Sequence, residues 1–581
     1  MMLRMLRTIR HLSLGQLAAQ VVVRLRRRLE RPERILRLDA ESPAACRWKL
    51  RTAFLPPPAA DRSMEDIIRG KFSFLNDPRD VGFPPAWRGD DLPLLWQYNL
   101  HYFEVLWLLD YADARTIVLD WIAHHPPARA HLGWHPYPTS LRLVNWCCVF
   151  LGRFASQVHR DGQFLSVLWP SVLRQAEWLA RHMETHLRGN HLFENAAALT
   201  LLGECFSGRA ADRWLRRGRQ VLRRELREQI LPDGTHFERS PMYHCRVLAV
   251  LLTLLNVCDD AFRDTLAGPA ERMLEALTRM THGDSQIALL NDSAMGIYNT
   301  PEDLARFAGD LGLSTPVRRD GPFALRDGGY FGCRCRDGVY VICDAGDIGP
   351  PYVPGHAHGD FFSFELSLNS QRVIVDSGVS EYAEGPMRDY CRATRAHNTV
   401  EIDGQDQCEF WGAFRVARRG RVRDLQWRAE GEGFTLRAWH DGYTRLPGRP
   451  VHTRLFALRA GAILMVHDTV CSGREVTAVA RLHLHPACAV AIVSPRRARV
   501  TYPGGACTIC FAGKGTLKLE DSLYCPRFGL ALPNKTLAWT APGRDVTMGS
   551  CIVPGDRPAD LSLREGLRLP EGTIAWQTRA S

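Results

Sequence analysis

Lysine is nearly missing from this 581-residue chain: Lys49, Lys71, Lys514, Lys518 and Lys535 are five of its 74 Lys and Arg residues. The other cations are arginines, whose planar fork pairs two-pronged with carboxylates, sulfates and phosphates. An anionic ligand fits that bias, and so does a GC-rich genome. No stretch of 18 apolar residues runs free of charge, which excludes a membrane span. The N-terminus has no short apolar core followed by a small-residue cleavage site, so no secretory signal is read there. The 17 cysteines are odd in number and dispersed, which excludes a small disulfide scaffold. Cys333-x-Cys335 and Cys507-x-x-Cys510 sit in strand-like sequence without a second pair at zinc-ribbon spacing, and read as buried thiols. With 45% hydrophobic and 24% charged residues the chain is outside the disordered class. Despite a net charge of +11, no zinc finger, RNA-recognition signature or groove-reading basic helix is visible, which argues against nucleic acid.

What is present divides in two. From about residue 95 to 312 apolar residues recur at helical spacing, as with Leu215, Leu222, Leu226 and Ile230, which share one face. Helices are expected over 98–109, 114–124, 140–154, 164–186, 191–206, 213–230, 242–259 and 270–280. Long helices joined by short loops pack as antiparallel pairs, and so many pairs predict a superhelix or a closed (α/α) toroid. After Pro322 short alternating runs take over, including a hairpin in which Phe362, Phe364, Leu366 and Leu368 alternate with Ser363, Glu365 and Ser367. Successive strands without helices predict an antiparallel β-sandwich. The expected organisation is a lead-in segment 1–94 packing on the toroid, a toroid over 95–320 and a sandwich over 321–581. Residues 12–29, with Arg24, Arg26, Arg27 and Arg28, read as an ordinary N-terminal helix, with contact to an anionic membrane surface as the second reading.

Chemistry-bearing residues concentrate in four short segments. In Gly189-Asn190-His191, Asn190 is expected at a helix N-cap, where free N–H groups favour an anion. In Glu238-Arg239-Ser240-Pro241-Met242-Tyr243-His244, Pro241 marks a helix start, and a nearby cation such as Arg239 would lower the Tyr243 phenol toward proton transfer. In Gly355-His356-Ala357-His358-Gly359-Asp360 two imidazoles face one way in extended chain, with glycines that let backbone approach a ligand. The fourth segment, Arg395-Ala396-His397-Asn398-Thr399, adds a histidine; with His358 and Asp376 it makes a two-His, one-carboxylate set suited to a divalent metal. Each also has a purely structural reading as a cap, a packing residue or a turn.

These segments, with Trp96-Gln97-Tyr98-Asn99-Leu100-His101-Tyr102, resemble the heparinase II/III family of polysaccharide lyases, in order from about residue 95 to 415. The resemblance implies a helical toroid followed by an antiparallel β-sandwich, in agreement with the two halves read from periodicity. It implies β-elimination on a uronic-acid polysaccharide of the glycosaminoglycan kind, with Asn190 holding the uronate carboxylate, Tyr243 as proton donor, and His191 and His356 beside the scissile bond. His358, Asp376 and His397 match metal-binding positions, with zinc expected, manganese as the alternative, and a structural role. Elimination needs the carboxylate neutralised, a base at C5 and an acid at the glycosidic oxygen; Tyr243 serves as base too for same-face elimination, His356 or His191 for opposite-face.

Tyr98, His101, Trp134, His135, Glu194, Arg239, Arg395 and Trp411 are candidate sugar contacts. The expected partner is an anionic polysaccharide, with no nucleic acid and no membrane span, and a monomer or homodimer. Without an export signal the expected compartment is the bacterial cytoplasm, with the periplasm second. The alternative function is a polysaccharide-binding or processing protein of the same fold in exopolysaccharide or capsule biosynthesis. A glycoside hydrolase would require two carboxylates across the bond, for which Glu194, Glu204, Glu238 and Asp360 are the candidates.

Overall fold

In the helical half, short polar residues open five of the ten described α-helices as caps. The side chains of Asp110, Asp161, Ser240, Asp259 and Thr300 accept hydrogen bonds from backbone N–H groups three residues on, each cap stabilising by about 1 kcal/mol. The computed structural model describes residues 2–29, 48–59, 62–89, 91–127 and 131–576. Helices run from Leu94–Tyr102 to Pro301–Asp310, pack in neighbouring pairs and form the α/α toroid. The expected helix over 98–109 instead starts at Leu94 and stops at Tyr102, because Phe103 takes a left-handed conformation (φ 63°) and a 3-10 turn, Glu104–Trp107, follows.

The helix Gly189–Cys205 sits at the centre of this half. It packs on Pro136–Cys147, Arg209–Gln229 and Pro241–Val257, and almost every residue is buried. A helix apolar on all sides has to be enclosed; the polar Asn190, Glu194 and Asn195 therefore need partners within the protein. Asn190 is not the N-cap expected from sequence. Arg188, with φ 63°, takes that place and Asn190 lies inside the first turn.

The sandwich begins at Gly321–Leu325. Its first sheet is an antiparallel meander of five strands, Gly321–Leu325, Tyr330–Arg334, Tyr340–Asp344, Phe364–Leu368 and Gln371–Ile374. The second has ten strands, built around the long paired strands Ile463–His483 and Leu530–Pro554. Phe331, Val341, Phe364 and Leu366 of the first sheet meet Phe434, Phe456, Leu464 and Trp539 of the second in one core. The other face of the small sheet is also covered: Phe323, Tyr330, Tyr340 and Ile342 pack on Ala276, Met280 and Leu290 of the helical half.

That second covering explains the polar alternation in the hairpin. Glu365 and Ser367 do not face water; both are fully buried against the helical half, where His282 lies 2.9 Å from Glu365 and 2.7 Å from Ser367. Arg372 and Asp284 add an ion pair at 2.7 Å across the same seam. The lead-in behaves in two ways. Residues near Pro56 lie on the helical half, with Asn299 donating to the Pro56 carbonyl at 2.8 Å. The first two helices, Met2–Ile9 and Leu14–Leu29, lie instead against the sandwich and also touch the toroid at Arg26, which donates to the Arg181 carbonyl at 2.8 Å. No described helix is long and apolar enough to cross a membrane. The sixteen described cysteines are free thiols, most of them buried.

Candidate active site

Four chain segments meet where the toroid and the sandwich touch. The helix Gly189–Cys205 brings Asn190 and His191 in its first turn. The helix Pro241–Val257 brings Tyr243, fixed because Ser240 caps that helix and donates to the Asp292 carbonyl at 2.6 Å. The loop before strand Phe364–Leu368 carries His356, and the chain after Gly378 carries Tyr382 and Arg388. The rings of Tyr243 and His356 are 4.0 Å apart, inclined at 30°. The Tyr243 and Tyr382 hydroxyls are 3.2 Å apart. Exposed Phe414 stands 6.3 Å from His356 and 5.2 Å from Tyr382, an aromatic edge to the same cleft.

Two buried carboxylates organise this cluster. Glu238 accepts from the Asn190 backbone N–H at 2.9 Å and from Asn190 Nδ2 at 3.0 Å, and its other contact is His356 Nε2 at 3.2 Å. Asp292 faces the opposite ring nitrogen, His356 Nδ1, at 2.9 Å and His358 Nε2 at 2.8 Å. Buried Arg388 holds Asp292 with both guanidinium ends, and donates to the Ala413 carbonyl at 2.9 Å. Burial opposes ionisation of Asp292, but the Arg388 charge together with the hydrogen bonds to His356 and His358 outweighs it and holds the carboxyl well below the usual range. His356 thus has a carboxylate oxygen at each ring nitrogen.

Burial pushes the Tyr243 phenol well above its ordinary value, so the hydroxyl keeps its proton at neutral pH. The lowering expected from Arg239 does not arise, because that guanidinium is spent on the backbone carbonyls of Asp347 and Asp327. His191 lies with Nδ1 3.2 Å from Glu184 and its ring 4.3 Å from Tyr137. Burial disfavours its charged form, yet the Glu184 carboxylate wins and raises the imidazole above its ordinary value. A buried carboxylate beside a histidine orients the ring and strengthens it as a base.

His358, Asp376 and His397 each offer one ligand atom, all within 4.8 Å of one another, and all three residues are buried. His397 Nδ1 is 2.8 Å from Asp376 Oδ2, and Ser363 donates to the same carboxylate at 3.1 Å. His358 Nδ1 and His397 Nε2 are buried without any hydrogen-bond partner. Buried polar atoms are almost always satisfied, so two orphaned imidazole nitrogens beside a carboxylate fit a divalent ion.

The remaining sequence candidates are spread more widely. His101 and Trp134 are buried in the toroid wall. The His101 ring stacks on Trp87 at 5.8 Å, and Trp134 packs on Trp178 at 5.6 Å, so neither presents a face to a ligand. Glu194 is buried and ion-paired with Arg246. Tyr98 and His135 are half-buried and bonded to each other at 2.7 Å. Arg395 is exposed over the Tyr390 ring at 5.6 Å. Trp411 is taken up by the first helix, donating to Thr8 Oγ1 at 3.0 Å. Sequence reasoning did not single out Asp292, Tyr382, Arg388 or Phe414, and weighed Glu238 only as a hydrolase carboxylate.

Two models of one protein family match the chain: the heparinase II/III N-terminus over residues 110–305 and the heparinase II/III-like C-terminal region over residues 317–560. A heparin-sulfate lyase of Pedobacter heparinus is 23% identical over 375 residues, 58% of this chain and 56% of the relative. A heparin-sulfate lyase of Bacteroides stercoris is 25% identical over 253 residues, 38% of this chain and 37% of the relative. The matched stretch thus spans about half the length, or less, of these curated relatives. Among solved structures, a heparinase III superposes with a TM-score of 0.69 at 17% identity over 86% of each chain. A heparan sulfate lyase from Pedobacter heparinus superposes with a TM-score of 0.59 at 17% identity, covering 97% of this chain and 95% of that one.

Proposed function

Because the chain belongs to the heparinase II/III-like family, we propose that it is a polysaccharide lyase, cleaving a uronate-containing, glycosaminoglycan-like polymer by β-elimination. The observation that carries this reading is the stack of Tyr243 on His356, 4.0 Å between ring centres, bringing a proton-bearing phenol of the helical half to an imidazole of the sandwich.

In the proposed reaction a base removes the C5 proton, the C4–O bond breaks, a C4–C5 double bond forms, and the leaving oxygen takes a proton. Tyr243 supplies that last proton, since burial keeps its hydroxyl protonated. The base is His191, oriented by Glu184 and raised in basicity by it. His356 is less suited to that part because both its nitrogens face carboxylates. Asn190 Nδ2 gives one N–H to Glu238 and keeps its second for the uronate carboxylate. A well-placed donor of this kind is worth roughly 3–4 kcal/mol in the transition state.

His358, Asp376 and His397 would hold the divalent ion, zinc or manganese, whose positive charge would tie the loop bearing His356 to the sandwich. Elimination consumes no water, so this role is structural. Tyr98, His135, Arg395 and Phe414 remain as contacts for the polymer.

The test is incubation with a panel of uronic-acid polymers while following the ultraviolet absorbance of an unsaturated uronate end. A rise with one polymer supports elimination and names the substrate. New reducing ends without absorbance would mean hydrolysis, and binding without either would favour the polysaccharide-binding role.

A further inference from the structure

A helix on the surface of a globular protein ordinarily turns its apolar stripe toward its own core and its polar face to water. The first two helices do the reverse. In Met2–Ile9 the residues Met2, Leu3, Met5, Leu6 and Ile9 are exposed, Met2 by 72%. The opposite side carries the contacts to the body: Arg4 and Arg7 each lie 3.2 Å from Glu409, and Thr8 accepts from Trp411.

In Leu14–Leu29 the exposed Leu14, Ala18, Val21, Val22 and Leu25 follow at spacings of four, three, one and three residues, which lays them in one stripe along the helix. Leu14 is 85% exposed. Here too polar groups do the fastening: buried Gln16 donates to the Tyr352 carbonyl at 3.2 Å and Arg26 to the Arg181 carbonyl at 2.8 Å. Two consecutive helices thus spend their polar side chains on the protein and leave their hydrophobic ones outside.

Charge narrows what covers that stripe. Residues 2–29 contain no Asp or Glu, while arginine stands at 4, 7, 10, 24, 26, 27 and 28. Arg24 is exposed on the second helix and Arg10 in the turn just after the first. A protein partner is usually matched by charges of both signs across an interface. A single-sign basic border around a Leu, Met and Val stripe matches the headgroup plane and upper acyl region of an anionic bilayer.

We propose that the helix pair Met2–Ile9 and Leu14–Leu29 is a docking platform for an anionic membrane surface, lying in the interface with its apolar stripe toward the acyl chains and with Arg10 and Arg24 among the phosphates. It is fastened to Tyr352, on the loop that carries His356, so docking sets the cleft beside the lipid. The proposal concerns attachment alone and stands whether or not the chain cleaves a polymer.

The experiment uses the full chain in co-sedimentation with vesicles of phosphatidylcholine plus phosphatidylglycerol and with vesicles of phosphatidylcholine alone. Binding is expected to the first, about ten-fold or more weaker to the second, and weakened by added salt. The triple variant Leu14→Glu, Val21→Glu, Leu25→Glu is expected to lose binding at least about ten-fold with an unchanged melting curve, because these side chains touch no core. Arg10→Glu with Arg24→Glu tests the charge separately and should have a similar effect. Equal binding to both vesicles, binding to neither, or a triple variant that sediments like the parent would overturn the proposal. So would a parent that ignores vesicles but elutes as a dimer that the triple variant breaks, which would make the stripe a contact between two copies.

Discussion

Glu238, on the helical side of the cleft, has its carboxylate 3.2 Å from Nε2 of His356, on the sandwich side. The same carboxylate holds both the backbone and the side chain of Asn190. One buried group therefore sets the positions of two residues assigned to substrate. Glu238→Gln keeps the volume but places an amide where Asn190 donates twice and His356 Nε2 lies close. It is expected to lower kcat/KM by about 10²-fold, the size of loss that a misplacement near 1 Å produces, with little change in melting temperature. Steady-state rates of unsaturated-product formation check this, and parent-like kcat/KM would contradict it.

Gly189 guards the same carboxylate. Its φ of +56° is a left-handed conformation, and a Cβ added there would overlap Glu238 Oε1. Gly189→Ala is expected to cost stability through backbone strain and activity through displacement of Glu238. A thermal melt with a parallel rate measurement reads both effects; an alanine variant equal to the parent in each would show that Glu238 is not held as described.

The orphaned nitrogens of His358 and His397 make a metal prediction that does not depend on turnover. Elemental analysis of the purified protein is expected to find about one divalent ion per chain, and His397→Ala is expected to lose it. Chelation or His358→Ala should lower the melting temperature together with activity. Metal-free protein with an unaltered melt after chelator treatment would remove the ion from the account.

Acid should loosen the fold from near neutrality. Burial holds His236 at about 4 and His244 at about 3, against 6.5 for a free imidazole. The unfolded chain takes up these protons near pH 6.5 and the folded chain only near pH 4 and pH 3, so stability falls as pH drops through that window. Denaturant melts between pH 7.5 and pH 4 are expected to show a steady decline, shallower in His236→Gln. A flat profile would mean that neither imidazole is held neutral.

Asn190, His191, Tyr243, His356, His358 and His397 stood out as candidates because each sits in a short segment where reactive residue types crowd together, whereas Asp376 only ends an apolar run. Asp292 and Arg388 did not stand out, since their contact joins positions 96 apart in the chain and neither stands in a distinctive local pattern. His101 shows the converse: helical spacing says that an aromatic lies on a helix, not which wall of a toroid it faces, and it is interior, as is Trp134 in the turn Leu132–Trp134. The buried Glu365 and Ser367 follow the same logic, because alternation reports a two-sided strand whether the second side meets water or another domain. The apolar period of residues 2–29 was visible too, while its outward direction depends on where Glu409, Trp411 and Tyr352 lie.

The most direct measurement is the ultraviolet rise at saturating uronate polymer for the parent and for Tyr243→Phe, with near-identical melting curves as the control. Removing the one hydroxyl that donates to the leaving oxygen is expected to cut product formation by about 10²–10⁴-fold, the usual contribution of a positioned acid. A phenylalanine variant forming unsaturated product at the parent rate would contradict the assignment of Tyr243, and with it the cleft where helical body and sandwich share one reaction.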